Sequence, residues 1–127
     1  MRISDFCLVV AALCALVGMG LGITMGIARD FTLSPAHAHL NLLGWVTLAL
    51  YGLWHRASGR TGGLLGWLQA GTAALGAVLM SGGLAAYLSG RGDGFQALVI
   101  AGSLLALLGM ALFLVTVLAG LRDRSPA

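Results

Sequence analysis

Four long apolar blocks constrain the fold of this chain more than any other feature of its sequence. They cover Cys7–Ala28, Ala36–Trp54, Gly62–Leu88 and Phe95–Gly120. Each block is close to or longer than the ~20 residues with which an α-helix crosses the hydrocarbon core of a bilayer. The connecting segments are short, so consecutive helices must lie antiparallel beside each other. The sequence therefore predicts one all-α domain over residues 1–127, an integral membrane four-helix bundle with up-down-up-down topology.

The charged residues are too few to cover a water-exposed globule. They make up 9% of the 127 residues, whereas a soluble domain carries roughly 25%. The partner of the apolar surface is therefore expected to be a lipid bilayer. The net charge of +3 comes from seven arginines in tails and loops, and these form no basic stripe that could follow a phosphate backbone. Nucleic-acid binding is excluded.

The arginines also predict the orientation of the helices. The side with both predicted termini and the second loop carries Arg2, Arg56, Arg60, Arg122 and Arg124; the other carries Arg29 and Arg91. Positive residues accumulate on the cytoplasmic side of membrane proteins, so both termini are expected in the cytoplasm. For a bacterial source this indicates a multi-pass protein of the inner (cytoplasmic) membrane. The first apolar block is longer than that of a signal peptide and is expected to be a retained helix.

Glycine is unusually frequent, with 20 residues, many of them in the first and third blocks. Small residues let membrane helices approach closely, and Gly22 and Gly26 form a small-xxx-small pair. Two interpretations stay open. The glycines could form helix–helix contacts, including those of a homo-oligomer or a larger membrane complex, or a wall that leaves room for a flat cofactor.

One polar cluster, Ser34–Asn41, interrupts the apolar pattern at the start of the second block. Ser34 is a suitable N-cap, and the proline that follows it suits the first helical position. His37 and His39 then fall in the first two turns, and Asn41 lies one turn beyond His37 on the same face. Ionisable residues within a membrane segment are usually functional.

The spacing of the two histidines predicts that they face different neighbours. Residues i and i+2 of an α-helix point about 200° apart, so His37 and His39 cannot easily chelate one ion. The positive end of the helix dipole disfavours the charged ring, and the uncharged imidazole is the form that binds metals. Asn41 could orient the ring of His37. Hydrogen bonding at the helix start and a proton or quinone site are the other interpretations.

The segment His37-Ala-His39-Leu-Asn-Leu-Leu-Gly44-Trp45 resembles the His-rich transmembrane segments of the haem–copper oxidase subunit I superfamily. It is especially similar to small stand-alone four-helix proteins of that kind. In that superfamily an H-x-H pair sends one imidazole to each of two haems on opposite faces of a helix. The resemblance covers roughly residues 18–55 and implies a haem-b-binding protein, an electron-transfer or gas-binding module with a redox partner or quinol.

The chain also departs from that superfamily. A full oxidase subunit I has many more helices, and the third and fourth blocks contain no further histidine. Neither Glu nor Lys occurs in the sequence, so the ionisable channels of a proton pump are missing. We therefore assign no catalytic residue and do not expect this chain to reduce oxygen or to be an enzyme on its own, although it could be a component of an oxidoreductase.

Three hypotheses follow for the site. The first is haem b, held by His37 or His39 with a second ligand such as Met25, Met19 or a histidine from another protomer. The second is a copper site that uses His37, His39 and Met25, since thioether and imidazole suit copper. The third is a cofactor-free accessory subunit of a larger membrane complex. The cofactor-binding candidates are His37, His39, Asn41, Met25, Gly22 and Gly44.

Two further features receive simpler interpretations. His55 adjoins Arg56 at the inner end of the second block and is expected to be solvated at the membrane interface. Cys7 and Cys14 lie too far apart along a helix for a disulfide and are expected to be small packing residues.

Overall fold

The structure, a computed structural model, describes residues 1–59 and 63–122, the side chain of Arg122 excepted. These residues form four helices and no strand: α1 (Ile3–Ala28), α2 (34–57), α3 (Gly63–Leu88) and α4 (Phe95–Arg122). The all-α prediction is confirmed, and α1, α3 and α4 are long and apolar enough to cross a membrane. The predicted start of the third helix at Gly62, and Arg60 and Arg124, lie outside the described residues.

Helix α2 is not the regular α-helix that the sequence predicts. It consists of an α-helical turn and a half (Ser34–His39), a π-helical segment (Leu40–Thr47) and a second α-helical segment (Leu48–Ala57). His39 and Leu48, which flank the π segment, both have helical backbone angles, so the chain runs on without a break. In an α-helix, residues four apart point in directions that differ by about 40°, so a series of them gradually winds around the helix axis. The wider turns of the π segment lessen this winding. As a result, one cavity is lined by His39, Leu43, Thr47 and Tyr51.

Helices α1 and α2 lie side by side with opposite chain directions, and glycines mediate the contact. Going up α1 and down α2, the neighbours are Ser4 and Gly52, Cys14 and Gly44, Gly18 and Asn41, Gly22 and His37. A Cβ atom on Gly18 would lie 2.6 Å from the Asn41 amide, and one on Gly44 would lie 2.8 Å from the Cys14 sulfur. The space beside these glycines is filled by protein side chains. Helix–helix contact, rather than a wall for a flat cofactor, is therefore their role here.

Helices α3 and α4 approach even more closely, backbone against backbone. A Cβ atom on Gly76 would lie 2.5 Å from the Ala106 nitrogen, and one on Gly102 would overlap the backbone of Met80. Gly109 faces the backbone of Ala73 in the same way. Such contacts give membrane helices the van der Waals packing on which their association depends.

The interior of the bundle consists largely of small side chains, and the outside is apolar. The buried cluster joins α1, α2 and α3: Ile3, Cys7, Ala11, Leu48, Tyr51, Ala70, Ala73 and Ala74. On the outside, Ile27 is 81% exposed and Leu107 is 67% exposed. Soluble monomers rarely expose large contiguous apolar patches, so this surface suits lipid. Cys7 and Cys14 are buried and free, which agrees with their predicted packing role.

Candidate ligand site at the start of the second helix

A tight turn connects the end of α1 to the start of α2, where the two histidines lie. Arg29 adopts a left-handed backbone conformation (φ 53°) that ends α1. Asp30 then accepts hydrogen bonds from the Thr32 hydroxyl (2.6 Å) and backbone N–H (3.0 Å), and these bonds hold the pKa of the Asp30 carboxyl below its usual range. Leu33, not Ser34 as predicted, is the N-cap, and it provides no side-chain cap. Ser34 is instead the first helical residue, a shift of one position.

His37 is wedged against α1. Its Nδ1 donates a hydrogen bond of 2.9 Å to the carbonyl of Gly18, and since a carbonyl can only accept, Nδ1 must carry the proton. The ring rests on Gly22, where a Cβ atom would lie 3.0 Å from its Cε1. The Asn41 amide donates to the His37 carbonyl (2.9 Å) and lies 3.4 and 3.5 Å from the two ring nitrogens. Gly18, Gly22, His37 and Asn41 therefore form one polar contact between α1 and α2.

His39 faces the other way. Its Nδ1 donates a hydrogen bond of 2.7 Å to the Pro35 carbonyl, so Nε2 of the uncharged ring keeps its lone pair. The half-buried ring lines a cavity of about 350 Å³ between α2, α3 and α4. The other lining residues are Leu43, Thr47, Tyr51, Ala73, Met80, Ser103, Ala106, Leu107 and Met110. The Tyr51 hydroxyl donates to the Met110 sulfur at 3.4 Å.

The structure separates the predicted site residues into two groups. His37, Asn41 and Gly22 meet at the α1–α2 interface, whereas His39 lies on the opposite face of α2, as its spacing predicts. Gly44 contacts Cys14 rather than either histidine. Met25 is buried in α1 and does not line the cavity of His39.

The copper set of His37, His39 and Met25 is not assembled in one protomer, because the two rings turn to different neighbours. Across residues 1–59 and 63–122, no group of three or more His, Cys, Asp or Glu residues could hold a metal ion. The thioethers that accompany His39 in its cavity are Met80 and Met110 instead. Sequence reasoning missed both, because nothing local to α3 or α4 shows which face meets α2.

A second polar site lies at the far end of α2, and here a prediction is wrong. His55 is only 4% exposed rather than solvated. Its Nε2 donates to the Gln69 side-chain carbonyl at 3.0 Å. Within the described part of the chain, His55 Nδ1 and the Gln69 amide nitrogen are buried without a partner. The burial follows from the close approach of α3, where Gly66 lies beneath the ring.

Searches against protein families, curated proteins and solved structures found no match to this chain.

The chemistry of the site follows from the histidines themselves. An imidazole whose Nδ1–H is fixed by a carbonyl presents Nε2 in the tautomer and orientation that metal-binding histidines adopt. Both rings meet this condition. The ring of His39 adjoins a cavity of about 350 Å³, whereas the ring of His37 packs against Gly18 and Gly22 of α1.

Proposed function

We propose that this chain is an integral membrane protein that binds haem b through Nε2 of His39 and serves as an electron-transfer or gas-binding module. The observation that carries the proposal is the 2.7 Å hydrogen bond from His39 Nδ1 to the Pro35 carbonyl. It fixes the proton on Nδ1 and leaves Nε2 free, on a ring that lines a mostly apolar cavity. The resemblance of the 37–45 segment to the oxidase superfamily supports the same cofactor.

The cavity suits such a ligand in composition. Its volume of about 350 Å³ is at the lower end of the range of roughly 300–1,000 Å³ that is typical of cofactor and ligand pockets, so a haem bound to His39 would extend beyond it. Aliphatic and thioether groups form most of its walls. A haem bound there would supply a reversible one-electron centre or a site for a diatomic gas. His39 would hold it, and Leu43, Ala73 and Leu107 would exclude water from its faces.

The second ligand that we favour is Met80. Met80 and Met110 both line the cavity, but the Met110 sulfur already accepts a hydrogen bond from the Tyr51 hydroxyl. His–Met ligation is an established arrangement for haem iron. Met25 and Met19, two of the possible second ligands considered from the sequence, lie on α1 and do not line this cavity.

The same proposal includes the arrangement in the membrane. Helix α2 is 24 residues long by its bounds. It would cross the membrane together with α1, α3 and α4, in an up-down-up-down bundle with cytoplasmic termini in a bacterial inner membrane. The salt bridge between Arg56 and Asp5 supports opposite directions for the first two spans, because it joins the end of α2 to the start of α1. The open apolar face of α4 suits a second copy or a larger complex, and a redox protein or quinol would be the electron partner.

Optical spectra of the detergent-purified protein test the proposal. They are recorded for the oxidised and the dithionite-reduced protein, in the wild type and in the variants His39→Ala and His37→Ala. We expect a Soret band and sharp reduced α and β bands in the wild type, lost in His39→Ala and retained in folded His37→Ala. A colourless wild type from haem-replete cells would refute haem binding. Loss of haem in His37→Ala alone would move the ligand to the α1–α2 interface.

Copper is the second candidate, because two thioethers share the cavity with His39. Soft sulfur ligands together with imidazole favour Cu(I). Metal analysis of the same preparation separates the two candidates. Copper bound without haem, and lost in His39→Ala, would support the copper site, whereas neither metal nor haem in a folded wild type would indicate a cofactor-free accessory subunit.

A further inference from the structure

A second cavity, of about 360 Å³, opens at the end of the bundle where α1 begins and α2 ends. Its walls include Arg2, Ile3, Ser4, His55, Arg56 and Trp67. By helical rise this site lies about 24 Å from His39 along α2. It therefore stands apart from the proposed cofactor cavity.

The groups around this cavity are donors and cations. Among the described residues its lining contains no acidic side chain. Asp5 stays outside the lining and pairs with both guanidinium groups, at 3.0 Å from Arg56 Nη2 and 3.3 Å from Arg2 Nε. Each arginine has five N–H donors in a fixed fork, so each keeps donors that this carboxylate does not use. Asp5 thus holds two cationic forks beside the cavity.

The start of α1 adds further donors. Arg2 is the N-cap of this 26-residue helix and makes no side-chain cap. The first N–H groups of a helix have no partner within it, and here they belong to residues that line the cavity, Ile3 and Ser4. The positive end of the helix dipole also favours an anion at this position.

His55 supplies an independent sign that a ligand belongs here. The ring lines the cavity, is 4% exposed, and has no partner for Nδ1 in the described chain. The Gln69 amide nitrogen beside it is likewise buried and unpaired. Whichever way that amide is oriented, the pair leaves one donor and one acceptor unused. Such groups normally have a partner in a native protein.

We propose that this cavity binds a phosphate group, held by Arg2, Arg56 and the N–H groups at the start of α1. Arginine forks match phosphate oxygens in geometry and charge. Of the two unpaired side chains, His55 lines the cavity, so a protonated phosphate oxygen, or a water bound with it, could donate to Nδ1 of that ring. The phosphate has two sources: the headgroup of an anionic lipid, or a soluble phosphate.

The test uses the full-length protein in detergent, titrated with phosphatidylglycerol, phosphatidylcholine or inorganic phosphate. Native mass spectrometry counts bound lipid, and thermal unfolding followed by circular dichroism reports stabilisation by inorganic phosphate. The variants are Arg2→Gln and Arg56→Gln. The matched control is Arg91→Gln, which removes the same charge in the loop between α3 and α4.

We expect Arg2→Gln and Arg56→Gln each to weaken binding about fivefold, the effect of one arginine beside an anionic surface, and Arg91→Gln to leave it unchanged. Preference for phosphatidylglycerol with no response to inorganic phosphate identifies a lipid headgroup; the reverse identifies soluble phosphate. If Arg56→Gln fails to fold, Arg2→Gln still tests the proposal, because Arg2 is exposed and its loss leaves the Asp5–Arg56 pair intact. Equal binding by wild type and Arg2→Gln in both titrations overturns the proposal.

Discussion

The imidazole of His37 and the backbone carbonyl of Gly18 form a hydrogen bond of 2.9 Å between α2 and α1. It is an inter-helical polar bond within a largely apolar bundle, and it sits where Gly18 and Gly22 bring the two helices together. The bond turns the ring away from the cavity of His39. This contact gives His37 a role in helix packing, which is consistent with the proposal that His39 is the ligand.

Replacing His37 should lower stability without removing the ligand. His37→Ala deletes the bond to Gly18 and part of the α1–α2 contact, and polar bonds between membrane helices contribute about 0.6 kcal/mol on average and up to about 1.7 kcal/mol. We expect a loss of about 1 kcal/mol, measured by thermal unfolding in detergent. His39→Ala is the control, because the bond of its ring lies within its own helix. A larger loss in apo His39→Ala than in apo His37→Ala would contradict this assignment.

The glycines of α1 provide a second, sharper test. A methyl group on Gly18 would lie 2.6 Å from the Asn41 amide, whereas one on Gly20 meets nothing within 4 Å. Gly18→Ala should therefore cost about 1–3 kcal/mol, the usual effect of overpacking. Gly20→Ala, two residues away, should be neutral or slightly stabilising in the same unfolding assay, because Ala favours a helix more than Gly does.

Asn41→Ala supplies the control for this pair, because it removes the side chain that the new methyl group would strike. In the double variant Gly18→Ala, Asn41→Ala, the cost of the methyl group should largely disappear. A double-mutant cycle measures that coupling. Additive effects would show that Gly18 does not owe its role to Asn41.

Much of this arrangement could be predicted because it depends on local periodicity. Four apolar blocks of spanning length predict four helices, and those helices are present. The i, i+2 spacing of His37 and His39 predicts rings on different faces, and the i, i+4 spacing places Asn41 beside His37. Each of these predictions needs only the rotation and rise of one helix.

The features that were missed depend on contacts between helices. The π segment Leu40–Thr47 has no local sequence signature, and it aligns His39 with Tyr51 along one wall. His55 follows the last apolar residue of its block and looks solvated, yet α3 covers it through Gly66. Met80 of α3 lines the same cavity as His39 of α2, a relationship that no single-helix periodicity shows.

The two methionines in the cavity should respond differently to substitution. If Met80 is the second ligand of the proposed haem, Met80→Ala should lower the midpoint potential, because Met ligation raises it, and should alter the reduced spectrum. Met110→Ala, at the same cavity but with its sulfur bonded to Tyr51, should keep the spectrum of the wild type. Spectroelectrochemical titration measures both. Identical potentials for wild type and Met80→Ala would remove Met80 as a ligand.

The buried pair of His55 and Gln69 predicts a non-additive effect on stability. Each side chain satisfies one atom of the other at 3.0 Å and leaves one buried atom unpaired. His55→Leu or Gln69→Leu alone leaves the other side chain buried without its hydrogen bond. An unsatisfied buried polar group lowers the free energy of unfolding by about 1–3 kcal/mol. The double variant removes all four polar atoms, two of them already unpaired, so it should unfold at or above the temperature of the wild type. Additive destabilisation by the two substitutions would contradict this prediction, because it would show that neither side chain depends on the other. Repeating the melts with phosphatidylglycerol and with inorganic phosphate would show whether the phosphate proposed above stabilises the wild type and not the double variant.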